Sequence, residues 1–182
     1  MNEADRVIIT AAVTILVAFL GYIATYLNSL QLSRRKDRLE RVNKQLSELY
    51  GPMFSLTHAS SIAWKWFREA HPADVNATDD DLQEWRLWMS VVFMPQNVKL
   101  YDIILNKSDL LIETAMPQSL LDFCAHTVAM QAVLEKWKNR DYSEHFSVAR
   151  YPRDIEQYAR ESYTRLKAEQ SQLLGNKSDL ET

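Results

Sequence analysis

The sequence predicts an all-α chain: an N-terminal transmembrane helix continuing into a stem, then a cytoplasmic bundle of four to five helices. Three observations carry this. The 27 residues between Arg6 and Arg34 include no charged side chain. Only three glycines and five prolines serve 182 residues, too few for the tight turns of a β architecture. Beyond the uncharged stretch, apolar residues recur at three- and four-residue spacing without strand-like alternation, which is helical periodicity.

The first element, Val7 to Leu27, reads VIITAAVTILVAFLGYIATYL. At 1.5 Å per residue it reaches about 30 Å, the hydrocarbon thickness of a bilayer. A cleaved signal peptide needs a basic leader and a shorter apolar core, whereas here Glu3 and Asp5 accompany Arg6. Six basic residues follow the span (Arg34, Arg35, Lys36, Arg38, Arg41 and Lys44) and one precedes it. Short Lys- and Arg-rich flanks stay cytoplasmic, so residues 1–6 are expected outside and the rest inside. Arg34, Arg35, Lys36, Arg38 and Arg41 form the expected membrane-surface group, each attracted to anionic headgroups by roughly 1 kcal/mol. Within the span, Thr14, Ala18, Gly21 and Thr25 make a small-residue stripe of the kind that lets two helices approach closely, with Gly21 at its centre.

The stem is expected over residues 28–50. Leu32, Leu39 and Leu46 are spaced by seven, with Val42 and Leu49 offset by three, as in a coiled-coil seam. Such a seam serves either a parallel oligomer or a helix docked on its own domain. Gly51-Pro52 is predicted to stop it, since proline disfavours helix at the residue before it.

The bundle is expected over residues 51–175. A helix runs from Pro52 to Glu69, and residues 73–78 form a loop. Thr78 caps a helix from Asp79 to Val92, whose acidic first turn suits the positive end of the helix dipole. Met94-Pro95 is predicted to break the chain before a short helix carrying Val98, Tyr101, Ile104 and Leu105, and Asn106 to Asp109 forms a turn. Pro117 opens a central helix to Trp137 with Leu120, Leu121, Cys124, Val128, Val133 and Leu134 on its apolar face. After a loop over 139–151, Pro152 begins a last helix to Leu174, capped by Gly175, and 176–182 form a disordered tail.

Composition and motifs exclude several functions. From Leu49 onward 14 basic residues face 19 acidic ones, which argues against nucleic acid as a partner, because that affinity comes from cations on phosphates. The one cysteine, Cys124, leaves no intrachain disulfide. Asn-Lys-Ser-Asp occurs at Asn106 and again at Asn176 and resembles a guanine-reading motif, but no phosphate-cradling glycine loop accompanies it. The histidines His58, His71, His126 and His145 share no metal-ligand spacing. The acidic groups Asp79 to Glu84 and Asp154 to Glu156 are explained as helix starts. Trp64, Trp66, Trp85, Trp88 and Trp137 are expected in the core. No catalytic residue, cofactor or metal is expected.

The stretch Gln45-Leu46-Ser47-Glu48-Leu49-Tyr50-Gly51-Pro52 resembles the start of a loosely defined group of small bacterial membrane-anchored helical proteins with a Leu-Tyr-Gly-Pro junction. Phe93-Met94-Pro95-Gln96-Asn97, His126, Trp137 and Tyr151-Pro152 are similar to its later landmarks. The resemblance implies a bacterial inner membrane and carries no catalytic residues. The expected function is a non-enzymatic interaction or assembly protein that binds a protein partner or a second copy of itself. Gly21, Leu32, Leu39, Val42 and Leu46 are the association candidates. The alternative is a membrane-acting effector of a bacterial stress or antiphage system.

Overall fold

A computed structural model describes residues 2–72 and 78–175 and is all-helical over them. The chain divides into two compact units, Met1–Arg41 and Val42–Thr182. The expected loop at 73–77 and the expected tail at 176–182 lie outside the described residues.

Helix α1 runs from Glu3 to Gln45. Its apolar part reaches a mean hydropathy of 1.7 over an 18-residue window, none of it buried within the chain. Among the described residues this is the one helix long and apolar enough to cross a membrane.

In the second unit the helix does not stop at Gly51-Pro52. A π-helical turn, Leu46–Tyr50, carries it into α2, Gly51–Ala70. Proline lacks an N–H and its ring clashes with the carbonyl four residues back. The wider turn relieves this: the Gly51 N–H bonds to the Leu46 carbonyl five residues back, and the helix passes the proline unbroken. The same device recurs. Helix α3, Asp79–Trp88, runs through a second π turn, Met89–Phe93, whose following Met94 N–H bonds to the Met89 carbonyl, into α4, Met94–Asn106. The break expected at Met94-Pro95 is therefore absent for the same reason. Thr78 does cap α3: its hydroxyl accepts from the Asp81 N–H at 3.2 Å, and the Asp81 carboxylate accepts from the Thr78 N–H at 2.9 Å.

A 3₁₀ turn, Ser108–Leu110, and an irregular stretch lead to α5, Gln118–Lys138. Its buried stripe is Leu120, Phe123, Thr127, Met130, Val133 and Trp137. The expected face is displaced: Leu121 and Val128 are about half exposed, because the larger side chains Phe123 and Met130 bury more apolar surface when they turn inward. The coil over 139–154 precedes α6, Ile155–Leu174, and Gly175 closes it in the left-handed conformation at φ 79°.

Helix α6 packs on α2, and α4 packs on both α2 and α5. Two apolar clusters result. One joins Leu49, Tyr50 and Met53 to Ile104, Leu120, Phe123 and Leu166. The other joins Phe67, Met89, Phe93 and Met94 to Met130, Val133 and Trp137. Fully burying side chains of this size stabilises by about 2 kcal/mol each.

Candidate functional site

The association candidates are distributed over both units. Gly21 is exposed and a Cβ added to it would meet nothing within 4 Å. Leu32 is 66% exposed, whereas Val42 and Leu46 are buried in the second unit's own core. Leu39 is half-buried. The residues open to another chain are thus Gly21 and Leu32, while Val42 and Leu46 are committed to intrachain packing. The expected membrane-surface residues Arg34, Arg35, Lys36, Arg38 and Arg41 are all exposed. Two hydroxyls along α1 donate within the helix, Thr25 to the Gly21 carbonyl and Ser29 to that of Thr25, each at 2.9 Å.

What spacing alone missed is a clamp on the first π turn. Three polar side chains at and beside that turn reach one segment, residues 107–113. Gln45, buried at the end of α1, donates from Nε2 to the Leu110 carbonyl at 2.8 Å. Glu48 accepts from Lys107 Nζ at 2.6 Å. The Lys107 hydrogen bond, stronger than the opposing partial burial, holds the Glu48 carboxyl below its usual range. Tyr50, with no exposed surface, accepts the Ile112 N–H at 3.0 Å. Its hydroxyl also lies 3.3 Å from Glu113 Oε2 and 3.2 Å from the Tyr158 hydroxyl, and Tyr158 donates to the same carboxylate oxygen at 3.0 Å. Burial raises both phenols above the ordinary tyrosine range, and the Glu113 charge raises them further. They stay protonated at neutral pH as donors, not as bases. Lys107 and Ser108, within the nucleotide-like Asn-Lys-Ser-Asp, serve this clamp and the 3₁₀ turn; the second copy of that motif lies outside the described residues.

Farther along α2, Phe54 stacks between His58 and Tyr163, at 5.5 and 5.1 Å between ring centres. His58 Nδ1 meets Glu156 Oε1 at 3.0 Å, and Arg160 holds the same oxygen. Burial pushes Glu156 up, but hydrogen bonds from His58, Ser61 and Arg160 together hold its carboxyl low. Beside this seam an open groove of about 640 Å³ is lined by Leu46, Gly51, Phe54, Tyr163 and Lys167.

The third assembly lies around the coil over 139–154. Trp85 Nε1 donates to the His145 carbonyl at 3.0 Å and Trp137 Nε1 to that of Glu144 at 2.7 Å. His126 Nδ1 donates to the Ala149 carbonyl at 2.8 Å. Trp137 is therefore core, and Trp85 and Trp88 pack against it as half-buried rings, but Trp64 is 44% and Trp66 64% exposed. Cys124 is half-buried, and burial raises its thiol above the usual range, so it is a packing residue. Among the described residues no three His, Cys, Asp or Glu side chains are grouped to hold a metal.

His126 sets a pH dependence. Burial lowers its pKa below 6.5, against a smaller opposing effect of the Ala149 bond. The unfolded chain then takes up the proton more readily than the folded one, so this stability is complete above about pH 6.5 and is lost as pH falls through that value towards the folded pKa. The urea midpoint of the wild type is expected to fall between pH 7.5 and 5.5, above the range where the paired carboxylates titrate. His126→Gln should flatten that slope; an unchanged slope in the variant would refute it.

No protein-family model, curated protein or solved structure matches the chain. The fold and these assemblies define a class: a helical chain with one helix long and apolar enough to cross a membrane, and a helical unit held together by side-chain clamps.

Proposed function

We propose that the chain is a membrane-anchored interaction or assembly protein, with Val7 to Leu27 as its single span in a bacterial inner membrane and the second unit on the cytoplasmic side. The observation that carries this reading is the 27-residue uncharged stretch, held within one continuous helix and followed by six basic residues. A charge-free apolar helix of that length satisfies its backbone internally and can lie in hydrocarbon, and the basic collar favours the cytoplasmic face and anionic headgroups. The partners are the bilayer and a protein, either another protein or a second copy of this chain. Gly21 and Leu32 are the exposed positions for association along α1, with Leu39 half-buried between Leu32 and the second unit's core residue Val42 in sequence.

The reading is tested in native membranes. The full chain is expected to stay in the pellet after carbonate washing, and the second unit is expected to survive protease added outside sealed spheroplasts. Recovery in the soluble fraction, or digestion from outside, overturns it. Crosslinking in the same membranes is expected to yield species larger than the monomer; a chain found only as monomer, with no partner, removes the assembly function.

A further inference from the structure

We draw no further inference here: the strongest candidate, the open groove between the first π turn and α6 lined by Gly51, Phe54, Tyr163 and Lys167, carries nothing because nothing in the structure shows what covers it.

Discussion

Gly51→Ala is expected to destabilise the second unit by about 2 kcal/mol, the balance of an overpacking cost near 3 and a helix-propensity gain near 1. Gly51 has an ordinary helical conformation, φ −66° and ψ −54°, so the requirement is space, not backbone freedom. A Cβ there would stand 2.4 Å from the Leu46 carbonyl oxygen, which is main chain and cannot swing aside. The second π turn shows what must change: it ends on Met94 at ψ −37°, a more open winding that admits a side chain. Opening the first turn likewise would pull against Gln45–Leu110, Glu48–Lys107 and Tyr50–Ile112 at once. All five tryptophans lie beyond Val42, so tryptophan fluorescence of the full chain in urea follows this unit alone. An unchanged midpoint for Gly51→Ala would show that the turn opens freely and that the clamp exerts no hold on it.

Much of the helical architecture was legible because it rests on local signals. The uncharged stretch, the Thr78 cap, the Gly175 stop and the α5 limits all follow from residues within a turn or two of the feature. The prolines misled because their local meaning is a break. Gly51-Pro52 and Met94-Pro95 instead sit after π turns, and the i to i−5 bond that rescues each helix depends on packing around it. The clamp on the first π turn was invisible for a different reason. Its two halves, Gln45 to Tyr50 and Lys107 to Glu113, are about sixty residues apart, and nothing in either segment names the other. The Leu-Tyr-Gly-Pro junction did single out Tyr50 and Gly51, although as a landmark without a mechanism. Composition alone puts the tryptophans in the core, but core placement is settled by neighbours. Trp137 found them in Met130 and Val133, while Trp66 did not and remains exposed.

Tyr50→Ala is expected to cost about 4 kcal/mol, the range of large-to-small changes in a packed core, and Tyr50→Phe about 2 kcal/mol. The two variants separate ring from hydroxyl. The ring is fully buried against Tyr158, at 6.3 Å between centres, and belongs to the cluster with Met53, Phe123 and Leu166, so alanine leaves a cavity. Phenylalanine keeps the packing but leaves the Ile112 N–H unpaired and Glu113 with Tyr158 as its remaining phenol donor. The same phenols give an alkaline signature. Both are raised above the ordinary tyrosine value of 10.0, so above about pH 10 the unfolded chain loses protons that the folded chain keeps. Their stabilising effect is therefore complete below pH 10 and is lost as pH rises beyond it. Tyr50→Phe should reduce that alkaline loss while lowering the urea midpoint at neutral pH. If phenylalanine instead matched the wild type at pH 7 and at pH 11, the hydroxyl network would be an incidental contact, and Tyr50 would hold segment 107–113 to the π turn by its ring alone.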